Sequence, residues 1–181
     1  MSSPAVSPPE RSRAGDPARL RRTFGAFATG VTVVTVGGDA PRGMTANSFT
    51  SVSLAPPLVL VCVGKDAVMH RTLAHSRTFS VSVLGAGQED VARHFADRSR
   101  PMGAGQFEAF GRLEGLACDA PLVPGAAAYF ECEKWREYDG GDHTIYLGEV
   151  LREEDLPDRG ALLFHRGCLR GLATRAPEAA A

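Results

Sequence analysis

Short apolar runs with a strand-like period follow one another along most of this chain: VTVVTV (31–36), LVLVCV (58–63), FSVSVL (79–84), AAAYFECEKWREY (126–138), HTIYLGEVLRE (143–153) and ALLFHRGCLRGL (161–172). No helix of regular length separates each pair, so the βαβ alternation of a doubly wound parallel sheet is missing. The pattern argues for a mainly β chain folded as an antiparallel barrel. LVLVCV is apolar on both faces and reads as buried on both, whereas FSVSVL turns Phe79, Val81 and Val83 inward. Asp139-Gly140-Gly141-Asp142 separates two alternating runs and marks a hairpin.

Helices are flanking additions. Asp16-Pro17 supplies an N-cap acceptor and a proline at the first helical position, after which Leu20, Phe24 and Phe27 fall on one helical face. Short helices are also expected at Ala67–His75 and at Gln88–Asp97, where Val91 and Phe95, and Glu89 and Arg93, stand four apart.

One segment fits the barrel pattern poorly. GMTANSFTSVSL (43–54) looks extended, yet alternate residues put Thr45, Asn47, Phe49, Ser51 and Ser53 on one face and Met44, Ala46, Ser48, Thr50, Val52 and Leu54 on the other. Both faces mix hydroxyls with hydrophobes. An edge strand with one wet face would look like this. So would a strand whose small residues, Gly43, Ala46 and Ser48, let something flat approach the backbone among convergent hydroxyls.

The 181 residues suffice for one domain, expected at 16–172, with disordered tails at 1–15 and 173–181 that carry almost nothing to bury. A formal net charge of -1 offers no long-range attraction to nucleic acid or to a membrane surface. No apolar run is long enough for a membrane helix and the N-terminal stretch lacks a signal-peptide core, so the expected location is cytoplasmic. Cys62, Cys118, Cys132 and Cys168 form no CxxC pair and read as structural thiols.

Several familiar chemistries find no support. Gly85-Ala-Gly87-Gln-Glu-Asp90 sits where a dinucleotide fingerprint would, but Asp90 replaces the third glycine and Glu89 adds a second charge at the helix end that would have to receive a pyrophosphate. His70 and His75 are five apart, off the spacing of a helical metal pair, and no HExxH or Cys/His array occurs, so no metal is expected. A Gly-x-Ser-x-Gly elbow and a P-loop are likewise lacking.

Taken together, GVTVVTVGG, PRGMTANSFTSVSLAPPLVLVCVGKDA, HFAD (94–97) and GGDHTIYLGEV (140–150) resemble the short-chain flavin reductases, the reductase components of two-component flavin-dependent monooxygenases. The similarity runs from about Leu20 to Leu172 and is close to members from actinobacterial natural-product clusters, enediyne pathways included. It implies an antiparallel Greek-key split β-barrel with a few flanking helices. It also implies an NAD(P)H:flavin oxidoreductase that reduces exchangeable FAD or FMN with NADH or NADPH and releases the product to a separate monooxygenase, as a homodimer. Under this resemblance Met44, Thr45, Ala46, Asn47, Ser48, Ser51 and Val52 form a shelf for the flavin, with Ser51 near its ribityl or phosphate tail. Cys62, Val63 and Gly64 line the same pocket, Cys62 as a wall and not a nucleophile, and Lys65 neighbours the phosphate. Phe95 and Arg98 lie over the dinucleotide side, although Asp97 stands where relatives often carry Gly or Ser. Asp142 and His143 make the GDH turn, with the catalytic imidazole of His143 facing the nicotinamide. The choice of flavin and of pyridine nucleotide stays open; Arg93, Arg98 and Arg100 are alternative selectors of a 2′-phosphate. Rival readings are a non-catalytic flavin-binding electron carrier on the same barrel and a pyridoxamine-phosphate-oxidase-like enzyme, for which Arg42 and Lys65 make a thin basic cluster.

Overall fold

The computed structural model describes residues 15–172, so the tails expected at 1–15 and 173–181 lie, Gly15 excepted, outside the described residues. In chain order the elements are α1 (Pro17–Phe24), β1 (Thr29–Gly30), β2 (Thr32–Val36), β3 (Arg42–Ala46), β4 (Thr50–Leu54), β5 (Pro57–Gly64), α2 (Val68–His75), β6 (Thr78–Val83), α3 (Glu89–Ala96), β7 (Ala128–Gly140), β8 (His143–Asp155), β9 (Ala161–His165) and β10 (Cys168–Leu172). Seven strands form one antiparallel sheet in the order β3-β2-β6-β7-β8-β5-β4, and β1, β9 and β10 form a second, small one.

Two strands consecutive in the chain, β3 and β4, therefore lie at opposite edges of the large sheet. The sheet curls to bring those edges together. The hydroxyl of Ser48, in the β3–β4 link, donates to Cys62 O (2.9 Å) and accepts from Cys62 N (3.0 Å), joining the link to β5. Inside the curl, Val34, Ala46, Val59, Val61, Val63, Phe79, Val81, Cys132 and Tyr146 pack into one cluster, and Met69 and Leu73 of α2 plug its end. A second cluster under α3 joins Val31, Val33, Leu84, Val91, Phe95, Phe107, Val123 and Leu162. Strand β2 lies between the two clusters and is buried along its whole length, its two threonines satisfied internally: Thr32 Oγ1 donates to Ala46 O (2.9 Å) and Thr35 Oγ1 to Pro121 O (2.5 Å).

Four expectations are corrected. GMTANSFTSVSL is two strands, because the chain must cross the barrel's open edge at Asn47–Phe49, where Ser48 replaces ladder pairing with side-chain hydrogen bonds. ALLFHRGCLRGL is a hairpin: Arg166 and Gly167 both have positive φ (48° and 81°), the two-residue turn that suits strand twist. LVLVCV is fully buried only on the face of Val59, Val61 and Val63; Leu60 and Cys62 on the other face are half-buried. The serines of FSVSVL are as buried as Phe79 and Val81, while Val83 is half-buried: Ser80 donates to Ala120 O (3.2 Å) and Ser82 Oγ accepts from Val123 N (3.0 Å), so the 113–127 connection covers that face. The helix opening at Asp16 is as expected, with its carboxylate accepting from Ala18 N (3.0 Å), but Leu20, Phe24 and Phe27 are exposed.

The same connection is anchored by a carboxylate. Glu131 is fully buried, accepts from Ala117 N (2.7 Å) and Cys118 N (3.0 Å), and meets Arg152 at 3.3 Å. Burial alone would raise its pKa, but the backbone N–H donors and Arg152 outweigh burial and hold it below the usual carboxylate value. A carboxyl whose folded pKa is depressed contributes stability above its unfolded pKa of about 4.3, and that contribution is lost as pH falls through the folded value. Glu131→Gln should therefore be less stable at pH 7 by about 2 kcal/mol and show a shallower loss of stability below about pH 4, measured by urea unfolding across pH. Parallel stability–pH curves for the two proteins would contradict this account.

Candidate functional site

Strand β3 has one edge without a strand partner, and side chains occupy it. Gln106 Oε1 accepts from Gly43 N (2.8 Å), while its amide donates to Pro41 O (2.7 Å) and Gly103 O (2.8 Å). Arg100 donates to Gly43 O and Thr45 Oγ1 donates to Ala92 O (2.7 Å). The Phe95 ring lies so close over Gly43 that a Cβ there would stand 2.6 Å from the ring. Glycine thus lets α3 settle against β3.

Where α2 and the loop after α3 part from β3, a cavity of about 280 Å³ opens. Strand β3 lines it with Arg42, Met44 and Thr45, the β5–α2 turn and the start of α2 with Asp66–Met69, and α3 and its following loop with Phe95, Arg98 and Arg100. A second cavity of about 250 Å³ shares Thr45 and continues past Ala46 and Asn47 between α3 and the β9–β10 hairpin. Ligand pockets begin near 300 Å³, so each cavity suits part of a dinucleotide.

Beside the first cavity lies the tip of the β7–β8 hairpin. Gly64 pairs with His143, Lys65 N donates to Asp142 O (3.0 Å), and the Lys65 ammonium pairs with Asp139. Asp142 Oδ1 meets His143 Nδ1 at 2.7 Å, which holds the Asp142 carboxyl below its usual pKa. A Cβ on Gly64 would stand 3.0 Å from Asp66 Oδ1 and 3.7 Å from His143 Nε2, so glycine leaves the backbone open between them. Asp66 in turn pairs with Arg98 at 3.1 Å, linking this corner to the cavity.

The cavity is cationic. Arg42 and Arg100 are only 6% and 8% exposed, and among the described residues neither forms an ion pair with a carboxylate. Burial and the neighbouring Arg42 push Arg100 down to about 10; burial and Arg71 lower Arg42. Burial also raises the Cys62 thiol, which keeps it protonated and unreactive. Among the described residues no three His, Cys, Asp or Glu side chains gather as metal ligands would. His70 instead meets Thr144 Oγ1 (2.9 Å), and His75 bonds Arg71 O (2.8 Å).

Of the residues singled out from sequence, Met44, Thr45, Phe95 and Arg98 meet at the first cavity and Thr45, Ala46 and Asn47 at the second. Ser48 and Cys62 are bonded to each other, and Gly64, Lys65, Asp142 and His143 form the adjoining corner. Ser51 and Val52 lie on the exposed edge strand β4 and line neither cavity. The Val63 side chain is wholly inside the barrel core, leaving only its backbone for a ligand. Asp66–Met69 were missed, and Arg42 and Arg100, named only as part of a rival's basic cluster and as a 2′-phosphate selector, were not expected as walls of this cavity. Strand alternation carried a signal for Arg42, which shares a face with Met44.

A curled antiparallel barrel with two clefts along one edge strand, the first lined by three arginines, is an architecture suited to an anionic nucleotide. Its orphaned buried arginine nitrogens and the open backbone at Gly64 fit an anionic nucleotide carrying a flat ring. The chain belongs to the flavin reductase family, whose flavin reductase like domain matches residues 24–173. It is 58% identical over 177 residues to an NADH-dependent FAD reductase of Streptomyces globisporus, covering 97% of each chain. The solved structure of a Streptomyces globisporus NADH:FAD oxidoreductase in complex with NAD and FAD fragments superposes with a TM-score of 0.82 at 54% identity, covering 98% of this chain and 100% of that one. The flavin reductase component of a bacterial two-component tryptophan halogenase gives 0.85 at 54% identity, covering 88% and 100%.

Proposed function

We propose that this chain is an NADH-dependent flavin reductase that transfers a hydride from C4 of the nicotinamide to N5 of FAD and releases the reduced flavin to a separate flavin-dependent monooxygenase in natural-product biosynthesis. The observation that carries the reading is the 58% identity, over 97% of both chains, to a relative named for that reaction, in a chain whose family-like segments converge on the same edge of the barrel. The relative's FAD and NADH favour that pair over FMN and NADPH.

In this reading the Thr45–Ser48 stretch is the shelf for the flavin ring, and Ser51 and Val52 serve parts of the ligand beyond the two cavities. Cys62 and Gly64 wall the pocket, Lys65 and Arg98 neutralise phosphate, and His143 lies against the nicotinamide. The flavin and nicotinamide supply the redox chemistry, so no acid, base or nucleophile is mandatory; the protein stacks two rings at close range and excludes water. The Asp142 carboxylate fixes one nitrogen of His143 and leaves Nε2 directed toward Gly64. A second copy of the chain covers the exposed Leu20, Phe24, Phe27, Leu54 and Trp135, making a homodimer of the kind the resemblance implies. No described helix is long and apolar enough to cross a membrane, and the proposed place of work is the cytoplasm.

Because the flavin leaves after each turnover, purified protein should be colourless and should oxidise NADH only when FAD or FMN is added. Tightly retained flavin without NADH turnover would instead mark an electron carrier. His143→Ala should slow flavin reduction in stopped flow by about 10- to 100-fold, since positioned side chains contribute on this scale or above, with flavin affinity changed far less. Unchanged reduction kinetics would remove His143 from the site.

A further inference from the structure

We infer that Met102 is a modification site, its thioether converted by peroxide to a sulfoxide that engages Arg42 in the wall of the 280 Å³ cavity; the source of the peroxide rests on the flavin reductase reading. Among the described residues, Met102 and Cys168 are the exposed sulfur side chains, whereas Met69 is in the core and Met44 is half-buried. Met102 is 63% exposed, yet its chain is tied down on both sides. Before it, Arg100 donates to Asp97 O and Gly43 O; after it, the Gln106 amide donates to Gly103 O (2.8 Å). The sulfur so placed accepts from the Arg42 guanidinium. Arg42 is 6% exposed and its Nε has no partner among the described residues, so a buried cation relies on a weak thioether acceptor.

Oxygen transfer suits this pairing. A lone pair of the sulfur forms the S–O bond as the peroxide O–O bond breaks; the departing hydroxide takes up the proton of the transferred oxygen and leaves as water. Sulfur loses two electrons and the peroxide gains them. The new oxygen carries partial negative charge beside the Arg42 N–H groups, and a hydrogen bond from a guanidinium to it is far stronger than one to a thioether. Under the reductase reading, reduced flavin that meets no monooxygenase is reoxidised by dioxygen, which takes two electrons and two protons to become hydrogen peroxide. The sulfoxide then claims an arginine of the nucleotide cavity for the 97–107 loop and slows the enzyme that generates the oxidant. Enzymatic reduction of the sulfoxide reverses the change.

The test compares the Cys168→Ser protein, which lacks the exposed thiol, with Cys168→Ser/Met102→Leu and Cys168→Ser/Met102→Gln. Each is treated with hydrogen peroxide, cleared with catalase, mapped by peptide mass spectrometry and assayed for NADH oxidation against FAD concentration. Met102 should gain one oxygen before Met44 and Met69, and the KM for FAD should rise about 3- to 10-fold, as expected for one charge-assisted hydrogen bond redirected. Methionine sulfoxide reductase should restore both mass and KM. The leucine variant should keep the untreated KM after peroxide, and the glutamine variant, with a permanent amide oxygen, should show the raised KM without it. Turnover in air with NADH and FAD should place the same oxygen on Met102 unless catalase is present. Oxidation of Met44 ahead of Met102, or a Met102 sulfoxide with unchanged KM, would overturn the proposal. Should the untreated protein oxidise no NADH with either flavin, the reductase reading fails; preferential oxygenation of Met102 with a raised Tm, lost in the leucine variant, would still uphold the Met102–Arg42 site.

Discussion

The architecture depends on one hydroxyl. Ser48 donates to and accepts from the backbone of Cys62, giving β5 at that position the two hydrogen bonds a neighbouring strand would have supplied. A seven-stranded sheet with β3 and β4 at its margins has polar backbone at both edges, and the Ser48 bonds tie the β3–β4 link to β5 over the cluster that holds the β5 valines. The side-chain bond lets the chain cross from one edge to the other without a ladder and leaves the backbone on both sides of Ser48 as a rim. That rim carries Thr45, Ala46 and Asn47 on one side and Gly64 and His143 close to the other.

The free edge of β3 is managed by the same economy of side chains. Gln106 and Arg100 take up the hydrogen-bonding groups of Gly43 and the Thr45 hydroxyl donates to Ala92 O, so α3 and the following loop are pinned against it, and Gly43 makes room for Phe95. The cavity is the gap left where that cover ends and α2 begins. Its cations are buried because the elements that bear them also close the sheet edge. Arg100 therefore both closes the sheet edge and lines the cavity.

Much of this was legible in the sequence because local patterns decided it. Strand-period runs placed most of the sheet strands, Asp16-Pro17 placed α1, and Gly140-Gly141 placed the long hairpin. The break inside GMTANSFTSVSL was not legible, since nothing local distinguishes a serine that pairs with a distant strand from one on a wet face. The hairpin within ALLFHRGCLRGL was hidden by an arginine at a positive-φ position more usual for Gly or Asn. Arg42 entered only as half of a thin basic cluster with Lys65, because its burial comes from elements remote in sequence. Ser51 and Val52, conversely, came from the resemblance, and in the single chain they lie on an exposed strand.

The central claim is that the edge running from Met44 to Ser48 holds a flavin nucleotide with its ring on the shelf. A crystal structure of the protein soaked with FAD tests this most directly. The ring should lie against Thr45–Ser48. Flavin density elsewhere, with the two cavities filled by rearranged side chains, would contradict the account.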